Sequence, residues 1–415
     1  MQLSVINREI KDVFYLIALQ GLNYIAPLLV LPYLMKVLGA EKFGYIGFSL
    51  SVVQYLMLIV DFGFNFSATK QIALAKDNRT ELNKIFTSTL YAKTGLLAVS
   101  FFLLIVIAMI PRFAIYRETM FVVSLMAVGN AFTFIWLFQG MGQIRFISIF
   151  NIIAKLSILP LTFIFVKSSD DYLIAAFLQS SVVLFAMIIS IIYVVKKRWV
   201  SIGSYIKQDV ISGLNEAFPL FLSNAATSIY VVSFVIFLGY FATAEEVGQY
   251  SAVERIMKAL CYMIFIPIAQ AFYPKIVQMG KEDKPEAVRL VKKIFVLVTC
   301  CMFFILIGMF FLSPYAVKFL GEDYKNTLLL FKIMAFVPIF VGMGGVVAQL
   351  GILALGNTKD KKNYQQVYFV AGAVALVGIF VTIPLWGANG AAVSLLVTEA
   401  MVCGLMFWFG RKILS

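Results

Sequence analysis

Twelve apolar runs, each about 20 residues or longer, alternate with short polar stretches from one end of the chain to the other. They fall near 13–35, 43–66, 86–110, 119–138, 146–166, 172–195, 214–239, 247–273, 294–313, 328–352, 364–385 and 389–410. A helix of about 20 residues crosses a hydrocarbon core about 30 Å thick. Backbone groups in lipid must be satisfied within the segment, so runs of this length imply helices and not barrel strands. With 62% hydrophobic and 13% charged residues, the chain has too little polar surface for a soluble domain of 415 residues. The expected fold is all-α and polytopic. The polar first twelve residues, followed by a long apolar run with no small-residue cleavage pattern, predict that the N-terminus is retained.

Charge sets the orientation. With a cytoplasmic N-terminus, the segments on that side hold 22 lysines and arginines and those on the far side hold 7. Cytoplasmic loops of membrane proteins carry such an excess, so both termini are expected in the cytoplasm and the number of crossings is even. The net charge of +13 then follows from topology and does not point to nucleic acid. A weak internal repeat sets Gly44-Tyr45-Ile46-Gly47 against Gly248-Gln249-Tyr250-Ser251, and Lys84-Ile85-Phe86 against Lys293-Ile294-Phe295. Its order predicts two six-helix bundles, 1–200 and 201–415, joined through the basic and polar stretch 196–213, with a cavity between them.

Five of the 34 cations lie inside apolar segments: Lys93, Lys155, Arg255, Lys258 and Lys332. Lys332 is close enough to an outer end to snorkel. The stretch 247–267 carries Ser251, Arg255, Lys258 and Tyr262 at spacings of four, three and four, which puts them on one helical face. Lys93 shares a face with Thr89 and Ser100, and Lys155 with Ser148, Asn151 and Thr162. Both lysines are about 13 Å from a cytoplasmic helix end at 1.5 Å per residue. A cation at bilayer depth costs roughly 3 kcal/mol, so four of them imply a cationic chamber that an anion visits. Each lysine taken singly could instead pair with a nearby carboxylate for packing.

Asn23 and Tyr24 in the first segment and Asn224 in the seventh offer groups that bond sugar hydroxyls or glue helices together. Four carboxylates lie within segments. Glu254, one turn before Lys258, is expected to pair with it, whereas Asp61 and Glu216 are expected to meet water near the cytoplasmic boundary. Glu399, ten residues into the last segment, is the candidate for proton or sodium coupling, or the partner of a lysine. The chain has no histidine, which removes histidine metal ligands, proton relays and Ser-His triads. Cys261, Cys300, Cys301 and Cys403 lack metal or redox spacing and read as small apolar residues. No phosphate-binding loop or catalytic carboxylate pair appears, so no catalytic residue, metal or cofactor is assigned and the expectation is a non-enzyme.

Gly21-Leu22-Asn23-Tyr24-Ile25-Ala26-Pro27, Phe62-Gly63-Phe64-Asn65-Phe66-Ser67-Ala68-Thr69, Trp136-Leu137-Phe138-Gln139-Gly140 and Gly387-Ala388-Asn389-Gly390-Ala391-Ala392 carry a further signal. Together they make the chain resemble the Wzx-type O-antigen flippases. These form part of the polysaccharide-transporter branch of the multidrug/oligosaccharidyl-lipid/polysaccharide exporter superfamily. The resemblance implies twelve transmembrane helices in two six-helix bundles forming a V-shaped central cavity with an electropositive lumen. It also implies flipping of undecaprenyl-pyrophosphate-linked O-antigen repeat units from the cytoplasmic to the periplasmic leaflet of a Gram-negative inner membrane, with a polymerase and a chain-length regulator as partners in lipopolysaccharide biosynthesis. On this reading Lys93, Lys155, Arg255 and Lys258 attract the pyrophosphate and acidic sugars, and Asn23, Tyr24, Asn151, Ser251 and Asn224 touch the glycan. A cation-coupled multidrug exporter of the same superfamily would instead line its chamber with acids. A membrane glycan polymerase would display a large periplasmic loop, and the outer loops here stay near a dozen residues or fewer.

Overall fold

In the computed structural model the backbone is described for residues 2–204 and 206–414, and side chains from Leu29 onward except Tyr205, Ala226 and Ser415. The helices run in the order α1 (Gln2–Asp61), α2 (Phe64–Leu74), α3 (Arg79–Ala108), α4 (Arg117–Phe132), α5 (Ile135–Gly140), α6 (Ile144–Phe165) and α7 (Tyr172–Lys197). They continue with α8 (Lys207–Phe241), α9 (Ala244–Glu282), α10 (Lys284–Leu320), α11 (Leu328–Met334), α12 (Val337–Gly345) and α13 (Thr358–Leu414). No strand occurs among the described residues. Nine helices there are long and apolar enough to cross a membrane, or ten with the bent α8 taken as one span.

The first turns are set by capping chemistry, which satisfies the N–H groups a helix leaves over at its head. Asn78 Oδ1 accepts the Glu81 N–H at 3.2 Å ahead of α3. Thr243 and Glu246 form a reciprocal capping box at α9. Asp283 Oδ1 accepts the Glu286 N–H at 3.0 Å at α10, with a proline in the first turn.

Two helices are broken where a side chain would not fit. α1 bends at Gly39 (φ 72°, ψ 171°) and α13 at Gly387 (φ 54°, ψ −129°), backbone conformations that glycine adopts cheaply. The amides freed at the bends are taken up by carboxylates: Ala40 N–H donates to Asp323 Oδ2 at 3.3 Å and Ala388 N–H to Glu246 Oε1 at 3.4 Å. A Cβ on Gly387 would run into the Glu246 carboxylate. We therefore expect Gly387→Ala to cost about 2 kcal/mol, the usual scale for forcing a side chain into this backbone region, read as a lower unfolding temperature in detergent.

The segment expected as one helix over 328–352 is three pieces: α11, α12 and a π-helical turn at Val346–Leu353. The chain divides into two compact units that do not follow a cut at residue 200. A continuous unit holds Lys42–Tyr240, and a split unit holds Met1–Glu41 with Phe241–Ser415. Side-chain packing explains the grouping. In the continuous unit, Tyr55 Oη lies 3.1 Å from Ser228 O and 2.7 Å from Ser233 Oγ, and Gly239 leaves room for the Phe48 ring, so α8 packs on the second half of α1. In the split unit, Lys36 Nζ lies 5.7 Å from the centre of the Phe319 ring, beside the Ala40–Asp323 bond. Hydropathy shows that a segment is a helix but not which neighbours it will pack against.

Each unit has its own core. Trp136, Phe138, Phe64 and Ala217 are fully buried at the centre of the continuous unit, and Cys261, Phe265, Val298, Met302 and Leu350 fill the split unit. Large apolar side chains such as Phe304, Leu312 and Val195 point outward, as a lipid-facing surface requires. Cys261 and Cys403 are buried as expected; Cys300 is exposed, and all four cysteines are free thiols.

Candidate functional site

The split unit gathers charged groups around α9. Lys258 Nζ lies 2.9 Å from Glu254 Oε1, with the carboxylate almost buried, so the expected one-turn pair is present. Glu399, from the second half of α13, lies within the electrostatic reach of Lys258. Arg255 feels Glu254 and the Tyr324 hydroxyl. The ion pair of Lys258 is with the acid on its own helix.

Polar groups around this cluster are under-used. Ser251, Tyr250 and Tyr324 are all at least 99% buried, and their hydroxyls have no hydrogen-bond partner among the described residues. An unmet buried hydroxyl costs about 1–3 kcal/mol, so each of these is a group that a polar ligand or water would satisfy. Gln249 is fully engaged: its Nε2 donates to Glu245 Oε1 at 3.1 Å and to the Asp323 carbonyl at 2.7 Å, tying α9 to the turn at Glu322–Thr327. Tyr250 and Tyr324 were missed in the sequence. Tyr324 follows two acids in a polar outer turn and reads there as an ordinary loop residue.

The other candidates belong to the continuous unit. Lys93 on α3 is buried, with Nζ 3.7 Å from Asp61 Oδ1 at the end of the first bent helix. This is the local pairing weighed for a lone lysine, and it corrects the expectation that Asp61 meets water: its side chain is 15% exposed. Glu216 also has a protein partner, accepting from Gln71 Nε2 at 2.5 Å. Lys155 is half-buried on α6. One turn earlier, Asn151 spends its NH₂ group on the Ile147 carbonyl at 3.0 Å, which leaves its amide oxygen for a ligand. Asn224 is half-buried on α8. Near it, Thr227 Oγ1 donates back to Ser223 O at 3.2 Å within α8, and the Ser228 carbonyl accepts from Tyr55 Oη across a helix contact. Asn23 and Tyr24 lie outside the described side chains. Ser251, Arg255, Lys258 and Glu399 are therefore brought together in one unit, and Lys93, Lys155, Asn151 and Asn224 belong to the other. No group of three histidine, cysteine or acidic residues able to hold a metal occurs among the described residues.

The fold is that of multi-span membrane transporters. It superposes on an inward-facing multidrug-resistance MATE family transporter of the MOP superfamily with a TM-score of 0.69 and 15% identity, covering 96% of this chain and 94% of that one. The lipid II flippase MurJ in its inward closed conformation gives 0.70 and 14%, covering 94% and 87%. Residues 10–280 match the polysaccharide biosynthesis protein family. The chain is 33% identical over 97% of its length to a protein of Escherichia coli (strain K12) named "Putative O-antigen transporter", covering 96% of it. A protein of Shigella dysenteriae with the same name is 30% identical over 94% of this chain and 97% of its own. The chain belongs to the polysaccharide biosynthesis family and to its O-antigen transporter branch, which bears out the resemblance read from the sequence. Shape alone does not separate it from drug exporters, since MATE transporters share the fold.

Proposed function

We propose that this protein flips lipid-linked oligosaccharides, moving undecaprenyl-pyrophosphate-linked O-antigen repeat units from the cytoplasmic to the periplasmic leaflet of a bacterial inner membrane. The observation that carries this reading is 33% identity over 97% of the chain to a protein named as an O-antigen transporter. Both termini face the cytoplasm, and the chain crosses the bilayer twelve times. α13 has 57 residues, about 86 Å at 1.5 Å per residue, so it makes two crossings separated at Gly387, and α1 makes two separated at Gly39. Counting each of these two as a pair among the ten candidate spans supports twelve.

The chemistry around α9 suits a pyrophosphate. A guanidinium has five N–H donors in a planar fork that matches phosphate oxygens, which makes Arg255 the cation best suited to a pyrophosphate here. The hydroxyls of Ser251, Tyr250 and Tyr324 supply further donors. In the continuous unit, Lys155 offers a further cation for an anionic headgroup, and the Asn151 amide oxygen an acceptor for a sugar hydroxyl. Glu399 is the coupling candidate. A proton or sodium ion taken up there would leave the Lys258 charge less offset and the site more attractive to an anion. A polymerase and a chain-length regulator act on the delivered unit.

Deleting the gene in its host should accumulate lipid-linked repeat units and strip polysaccharide from the surface, and re-expression should reverse both. Normal surface polysaccharide without accumulation would remove the proposal. Purified protein that lengthened a lipid-linked glycan by itself would be a polymerase, and one that extruded lipophilic cations would be a drug exporter.

A further inference from the structure

Within the split unit, α10, the π-helical turn and the end of α13 enclose a cavity of about 290 Å³ that is almost entirely apolar. Val291, Phe295, Val347, Phe407 and Leu414 form its walls. Gly410 adds space, because a Cβ there would press against Val347. The two charged residues on its lining, Lys292 and Arg411, are both cations and both exposed, and no acid lines it. Arg411 stands over the ring of Trp408, an exposed indole of the kind that settles at a membrane interface. Both cations fall on the side assigned to the cytoplasm by the charge distribution, where anionic headgroups attract basic residues.

We propose that this cavity binds a bilayer phospholipid with an anionic headgroup, one acyl chain filling the apolar walls and the phosphate held by Lys292 and Arg411. Charge selects the occupant. A neutral detergent or a zwitterionic lipid would fill the walls and leave two cations without a net negative partner. The site is separate from the charged cluster on α9 and does not depend on what the protein transports. A lipid seated there packs against Val347, so it steadies the π-helical turn against the last helix.

The test uses the full-length purified protein in neutral detergent, with binding followed by native mass spectrometry and unfolding by temperature. Phosphatidylglycerol should bind and raise the unfolding temperature, whereas phosphatidylethanolamine with the same chains should not. Lys292→Gln with Arg411→Gln should weaken phosphatidylglycerol about 30-fold, which corresponds to roughly 1 kcal/mol per cation near a membrane surface. Lys292→Arg with Arg411→Lys should restore most of it. Glycerol phosphate, which has the anionic group but no chain, should fail to compete. Equal binding of the two lipids, or undiminished binding by the glutamine variant, overturns the proposal. So does displacement of phosphatidylglycerol by an equimolar polyprenyl phosphate, which would give the cavity to the tail of a transported lipid instead.

Discussion

Asp61→Ala should be among the most damaging single substitutions in the continuous unit, lowering stability by about 3–5 kcal/mol and depleting folded protein from the membrane. The cost arises in Lys93, whose side chain is 3% exposed and whose ammonium lies 3.7 Å from that carboxylate. With the acid gone, a cation is left in low dielectric with its principal charge partner removed. Lys93→Met should also be costly, since it leaves the largely buried Asp61 without its cation, although the backbone N–H groups of Gly63 and Asn65 at the break after α1 offset part of the cost. Replacing both, Asp61→Leu with Lys93→Met, should recover most of the loss, because a buried pair exchanged for apolar volume is close to neutral. Thermal unfolding of the purified variants measures this. An Asp61→Ala protein that unfolds like its parent would show that the pair is not what holds these helices. The double variant also decides the role of Lys93 in transport: restored folding with normal surface polysaccharide makes the lysine a packing element, and restored folding without polysaccharide makes it a ligand.

Arg255→Ala combined with Lys155→Ala should abolish surface polysaccharide while leaving the protein inserted at near-normal levels. Each substitution removes a charge-assisted contact worth about 1.5–3 kcal/mol, so together they should slow transport on the order of 10²-fold or more. Arg255→Lys should retain only part of the activity, because an ammonium keeps the charge but loses the planar two-point grip on phosphate. Membrane-fraction blots establish insertion, and surface polysaccharide reports transport. A well-inserted double variant with a normal polysaccharide coat would defeat the assignment of these two cations to the substrate path.

How much of this was legible in the sequence depended on how far apart the interacting residues are. Glu254 and Lys258 are one helical turn apart, so their pairing could be read from spacing alone and is present at 2.9 Å. Asp61 and Lys93 belong to different helices, and nothing in either local pattern announces the other. Lys93 therefore read as a chamber cation and Asp61 as a wet acid. The helices themselves follow from hydrophobic run length, a property of each segment alone. The membership of the two units does not, because it rests on contacts such as Tyr55 with Ser233 and Ala40 with Asp323, across 178 and 283 residues of sequence. Gly39 and Gly387 read as members of short connections. Their positive φ values, and the carboxylates that meet them, appear only once the neighbouring helices are in place. The π-helical turn at Val346–Leu353 left no mark in a run that is apolar apart from Gln349.

The carboxylates that clasp the bends at Gly39 and Gly387 also bear on how this protein can be tagged. Both turns are short and remote from the bulk of the chain's positive charge, so they look like natural places to splice in an epitope or a fluorescent reporter. Each is stitched by an acid from elsewhere in the same unit, Asp323 in one case and Glu246 in the other. A guest peptide there would pull out the stitch, whereas the polar turn between Lys281 and Lys284, closed only by its own helix caps, is the more forgiving host.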